Sequence, residues 1–434
     1  MLFSLQKLYI MRTTYLFRLL AVVPVIVVSS CEELDNDIDS HSEGDSPFIA
    51  LEDVAGILSA LPLEKDQLQE VYDAVSSSSE NGYDEEYTMK DLFSNPGYGV
   101  GDASFPQKKS SGKSGYVKPL KDLIGEHIRS IGHFPLKSSG ERTSASLSAD
   151  SYIEALKASD IQIYWPFVDN WDGEKLPVIT YDPSDGSETN IGYRINVDVD
   201  GNRVVEEVLV DEDMAKKYPV WVVNRNDDAG FTSLEILRRQ DPDWGSGGGT
   251  VIVRPESGQS GCSSDLPMKS SESKGSGVRT LILKDITLKR NFDSWFAGAS
   301  ELFVKIGSVE DFVASTEAEL KLYNPAVTDF MIVVQRDKVG VPVPFNAVLV
   351  SDWTDQLDQC AFMITEDDGG TRTSWKCTAV VKIASKSYGF EINLPFNTRD
   401  DIVWRGRLSR RYIEKYDDVK GHFGDVDLTF EIQD

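Results

Sequence analysis

The chain has 434 residues, 40% of them apolar, and a net charge of −27 at neutral pH. That apolar share supports packed cores and excludes a disordered protein, and the length suggests two or three domains. The charge excludes a nucleic-acid binder, because phosphates require a basic surface, and it opposes adsorption of the body to anionic lipid.

Arg12 and Arg18 flank the start of an apolar run, Leu19 to Val28, followed by Ser29, Ser30 and Cys31. A charged start, a short apolar core and small residues make a secretory signal. The run is too short to span a bilayer, which takes about 20 residues. Val28-Ser29-Ser30-Cys31 resembles the lipobox of bacterial lipoproteins, with Val28 where that family usually has Leu. The resemblance implies cleavage before Cys31 and a diacylglycerol on its sulfur, hence export and anchoring to a membrane through the N-terminal lipid. Glu32 to Asp45 then holds seven carboxylates and no Lys or Arg. Such a run stays extended and solvated, as a tether. Acidic residues directly after the lipidated cysteine also resemble the surface-export signal of Bacteroidota lipoproteins, which implies the outer membrane and the cell surface.

Residues 51–137 read as a helical region with a basic loop. Leu51, Val54, Ala55, Leu58 and Leu61 follow a helical stripe until Pro62, and Leu68, Val71, Tyr72 and Val75 repeat it. Gln107 to Lys121 carries five lysines and no acid, the one basic run in an acidic protein. A further helix is predicted from Val117 to Ile131. The Ser-rich residues 138–150 read as a linker. In 151–256 the pattern changes to period two, and six short strands are predicted, from Ile161–Tyr164 to Thr250–Val253. Residues 257–277, which include Cys262, read as a second linker. From 278 to 434 nine strand candidates recur at short intervals, among them Leu320–Tyr323, and fit an eight- or nine-stranded sandwich. The fold class expected is mainly β: a C-terminal antiparallel β-sandwich, a middle β domain and a small helical N-terminal region, after a signal peptide at 1–30 and an acidic tether at 31–50.

With Cys31 acylated, Cys262, Cys360 and Cys377 remain. Taking Asp368-Gly369 as a two-residue turn sets Cys360 opposite Cys377 as a non-hydrogen-bonded pair, and Phe362 opposite Trp375. Such pairs have Cα atoms about 4.5 Å apart, within disulfide reach, so export predicts a Cys360–Cys377 disulfide.

Two stretches could bind calcium. Asn196 to Glu207 has the ligand spacing of an EF-hand loop, but Tyr193, Ile195, Val197 and Val199 alternate and Asp200-Gly201 is a hairpin turn, so a hairpin is predicted. Asp293 followed by Gly298-Ala-Ser300-Glu301 resembles the first calcium loop of C2-type domains, and Asp400-Asp401-Ile402 resembles their third. The C2 resemblance implies a calcium site at Asp293, Glu301, Asp400 and Asp401, with one Glu where that family has Asp. A metal-free C2-like sandwich without cofactor is the expectation, and calcium the alternative; convergence of the four carboxylates would mark a cation site.

Catalytic motifs are absent from the sequence: the four His, at positions 41, 127, 133 and 422, form no recognisable pair with each other or with Cys. Trp165, Trp171 and Trp244 lie near polar loops and could stack on sugars, with core packing as their default. The functional expectation is a non-catalytic binding or interaction module with an extracellular protein or glycan partner. The alternative is a secreted hydrolase that depends on calcium or on carboxylates.

Overall fold

The computed structural model describes residues 49–94, 116–138, 141–197, 202–226, 231–240 and 279–433. Cys31, the tether, Trp244, Cys262, the strand expected at Thr250–Val253 and the linker at 257–277 lie outside them. The chain is mainly β, with antiparallel sheets in its C-terminal part and helices concentrated in its N-terminal part.

The first body begins with two helices whose stripes are those of the sequence. Helix α1 (Leu51–Ala60) buries Val54, Ala55, Ile57 and Leu58, and α2 (Lys65–Glu80) buries Leu68, Val71 and Val75. A capping box starts α2, with the Glu64 amide donating to Gln67 Oε1 at 2.9 Å. Strand β1 (Glu86–Thr88), α3 (Met89–Ser94) and α4 (Leu120–Ile131) follow. Ser138 and residues 141–148 lie in strands and not in the expected linker: β2 (His133–Ser138) pairs with β3 (Glu141–Ser148), with Phe134 opposite Leu147. Phe134 is buried against Tyr152, with ring centroids 4.1 Å apart, and this apolar anchor outweighs the polar composition. Ser148 then caps α5 (Ala149–Lys157) by accepting from the Ser151 amide.

Strand β4 (Ile161–Tyr164), β5 (Val178–Tyr181), β6 (Thr189–Val197), β7 (Arg203–Asp211), the short α6 (Glu212–Ala215) and β8 (Val220–Arg225) complete this body, and α7 (Leu234–Gln240) follows with Leu234 in the core of the C-terminal strands. Its sheet runs β1-β4-β8-β5-β6-β7, antiparallel except between β5 and β8. Side chains alternate across it. Ile161, Ile163, Trp221 and Val223 join the core formed with α1, α2, α4 and α5, while Tyr164, Val178, Val220 and Val222 join a second cluster on the opposite face. Trp165 belongs to the first core, edge-on to Tyr72 and Trp221, and Trp171 packs against it. The helical region and the β domain, expected as separate units, therefore share one core. Strands β6 and β7 pair as the hairpin reading requires, with Val197 opposite Arg203.

The second body is a ten-stranded sandwich, antiparallel throughout. Strand β9 (Arg279–Leu288), β10 (Ser300–Ser308), β11 (Ala326–Val334), β12 (Val343–Trp353), β13 (Leu357–Glu366), β14 (Arg372–Ile383), β15 (Lys386–Asn397), β16 (Asp401–Ser409), α8 (Arg410–Lys415), β17 (Lys420–Phe423) and β18 (Val426–Gln433) occur in that order. One sheet runs β12-β9-β18-β17; the other runs β11-β10-β13-β14-β15, with β16 also on β13. Leu320–Tyr323 is not a strand. Thr316 and Glu319 bond across the start of a 3-10 turn, Glu317–Leu322, which takes this stretch.

Cys360 and Cys377 are free and buried, which overturns the disulfide. Strands β13 and β14 pair only at Leu357 and Gln359. Beyond that point β16 takes the edge of β13, so Cys360 faces Leu408, Phe362 faces Gly406, and Cys377 faces Ile392 on β15. The physical cause is the turn. Asp367 Oδ1 accepts from the Gly369 amide and from Asn397 Nδ2, and the Arg399 amide donates to Gly369. The stretch expected as a tight hairpin turn is thus stitched to the β15–β16 loop and swings β14 off β13.

The bodies meet at residues 289–299. Trp295 and Phe296 leave this loop and enter the second cluster beneath the first sheet, and Trp295 Nε1 donates to Glu188 O at 2.9 Å. Residues Pro47–Asp434 accordingly form one compact unit.

Candidate metal centre

The loop that carries the Trp295 wedge also carries Asp293. Arg336, just after β11 and 6% exposed at its side chain, holds this loop by donating to Asp293 O at 2.7 Å and to Gly298 O at 2.9 Å. Asp84, 3% exposed, crosses from the first body and accepts from the Ala299 amide at 2.9 Å. Gly298 has φ 149°, and a Cβ there would lie 2.9 Å from Asp84 Oδ2, so glycine is required where the two bodies close.

Two strands deliver the other ligands. Glu301 lies at the start of β10 and Glu366 at the end of β13, where antiparallel register sets Glu366 opposite Leu302 and the Asp367 amide donates to Glu301 O. Glu301 is 3% and Glu366 0% exposed. One carboxylate oxygen from each of Asp293, Glu301 and Glu366 lies within 4.8 Å of the others. Asp293 is half-buried, with its carboxyl beside that of Glu366. Burial pushes its pKa up first, the charges of Asp401 and Asp367 add to that, and Glu366 and Arg336 oppose it.

Of the four predicted ligands, Asp293 and Glu301 converge and the other two do not join them. Asp401 sits exposed at the rim, opposite Glu366 on β16, and reaches Asp293 only by its field. Asp400 turns aside: its Oδ2 accepts from the Asn397 amide at 2.7 Å, and burial, then the adjoining Asp367, raises its pKa to about 6. Asp84 is likewise raised to about 6, by burial, with Asp293 contributing. Glu366 lies outside both stretches that resemble C2-type calcium loops, on another strand, β13. Its signal is that it stands two residues after Ile364 and four after Phe362, in step with core-facing positions of an apolar strand.

No family model, curated protein or solved structure matches this chain.

Hard carboxylate oxygens suit calcium, magnesium or manganese rather than soft metals. Calcium holds its oxygens at about 2.3–2.6 Å, so two of its ligands stand at most about 5 Å apart, a span that the three carboxylates meet. A buried anion without a counter-charge costs several kcal/mol. The Arg336 charge acts on Asp293 and the Lys305 charge on Asp400, and Lys305 Nζ donates to Thr365 Oγ1 at 3.0 Å. Glu301 and Glu366 are closed to solvent, so a glycoside or ester could not reach this pair, and the cluster lends no support to a carboxylate-based hydrolase.

Proposed function

We propose that this protein is an exported, non-catalytic binding module, held to a membrane by a lipid on Cys31, whose two bodies are fastened by a calcium ion. The observation that carries the calcium assignment is the convergence of Asp293, Glu301 and Glu366 within 4.8 Å, two of them almost wholly buried. The ion would be structural: it would pin the loop that wedges the bodies together, and leave the outer faces to an extracellular protein or glycan partner. The outer membrane and the cell surface are the locations that the sequence around Cys31 supports.

Calcium titration of the full chain, stripped with a chelator and followed by calorimetry and thermal unfolding, tests this reading. The expected result is one site, with stabilisation of about 4 kcal/mol at a thousandfold excess over the dissociation constant. Glu366→Gln and Asp293→Asn should abolish that gain. Absence of binding, or binding that Glu366→Gln leaves intact, refutes the assignment.

A further inference from the structure

A cleft on the first body shares no lining residue with the carboxylate cluster, so what it holds is independent of the calcium assignment. Helices α3, α4 and α5 leave between them a cleft of about 400 Å3, within the range of small-molecule sites. Lys118, Lys121, Arg129 and Lys157 line it, against two carboxylates, Asp122 and Glu126. This excess of cations stands out in a chain of net charge −27. Lys118 and Lys121 are the last two lysines of the basic run that the sequence singles out.

The lining is shaped as well as charged. Gly125 sits inside α4, where glycine weakens a helix. A Cβ there would come 3.2 Å from the Arg129 guanidinium, so the missing side chain gives that group room to lie back along the helix. Phe93 offers a half-buried ring at the cleft, and Lys157 Nζ lies 5.7 Å from its centroid. Lys118 with Glu126, Lys157 with Glu154, and Arg129 with Asp150 form ion pairs at the surface. Exposed pairs of this kind hold each other weakly, so the cations can turn to a guest of higher charge. Arginine and lysine around a polar cleft match the charge and oxygens of a phosphate group, and the ring matches a flat apolar body attached to it.

The geometry points to a binding site for a small phosphate monoester, its phosphate held by Lys121 and Arg129 and its ring-bearing body against Phe93. Calorimetric titration of the full chain with phenyl phosphate, inorganic phosphate and phenol tests it. Phenyl phosphate should bind saturably and more tightly than inorganic phosphate, phenol should not bind, and added salt should weaken the interaction. Arg129→Ala and Lys121→Ala should each weaken phenyl phosphate by about tenfold, the worth of one charge-assisted hydrogen bond. Asp122→Asn should tighten it, a gain that misfolding cannot produce. The site is overturned if no saturable binding occurs, if phenol binds as well as its phosphate, or if Arg129→Ala and Asp122→Asn leave the affinity unchanged.

Discussion

Asp84, Glu85 and Asp400 keep protons at pH values where ordinary carboxyls have lost them. Burial raises Asp84 and Asp400 to about 6, and burial with the neighbouring Asp84 charge raises Glu85 to about 8. The unfolded chain ionises these groups near about 4. Stability from them is therefore complete below about pH 4 and is lost as pH climbs through 6 to 8, because the folded chain must then carry buried charge. In chelator, the melting temperature should fall from pH 5 to pH 8, and Asp84→Asn or Asp400→Asn should flatten that slope. Calcium should restore more stability at pH 8 than at pH 5, since it competes with protons; a melting temperature that rises with pH in chelator would contradict this account. The cysteines make a second test at the same scale. Cys360 is fully buried and its thiol pushed well above the ordinary range, while burial raises Cys377 to about 11 and its Sγ donates to Ile392 O at 3.4 Å. Both should resist thiol reagents in the native protein, react only after denaturation, and show no mass difference on reduction.

Elements with a single clear period were legible in the sequence, and elements shaped by distant partners were not. The stripes of α1, α2 and α4 and the strand runs of β6, β7 and β9 answer to local pattern, although α4 starts at Leu120 rather than Val117 and β6 starts at Thr189 rather than Tyr193. Strand β16 was missed because Gly406, Arg405 and Arg407 break its apolar run. The glycine makes sense only once Trp404 folds over it, where a Cβ would lie 2.6 Å from the indole. Register fails for the same reason: Asp367, Asn397 and Arg399 decide where β14 goes, and Asp367 lies 30 residues from Asn397. Two of the three clustered carboxylates were visible, Asp293 and Glu301, because both stand in one loop-and-strand motif. Glu366 comes from another strand. The wedge at 289–299 makes a prediction for this scale. Trp295 is 1% exposed, packs on Phe296 with ring centroids 3.9 Å apart and is bonded to Glu188 O. Trp295→Ala should cost about 3–5 kcal/mol by urea unfolding. A loss below 1 kcal/mol, on the order of a surface substitution, would show that the wedge does not join the bodies.

At the scale of the whole molecule, charge and attachment are the testable features. No helix among the described residues is long and apolar enough to cross a membrane. The proposed attachment is the lipid on Cys31. Cys31→Ala should move the protein from the membrane pellet to the soluble fraction with its melting temperature unchanged. Retention in the pellet would remove the lipid anchor from the account. The topology of the second body carries a further consequence, for the timing of folding. Strand β9 lies between β12 and β18, and β18 is the farthest strand along the chain. A polypeptide that emerges N-terminus first holds β9 with a bare edge until β18 arrives, and such an edge recruits other chains. Pairing over so long a loop is slow. A chain cut anywhere between β9 and Val426 should therefore aggregate rather than persist as a half-built sandwich, so this body is completed only when its final strand is in place.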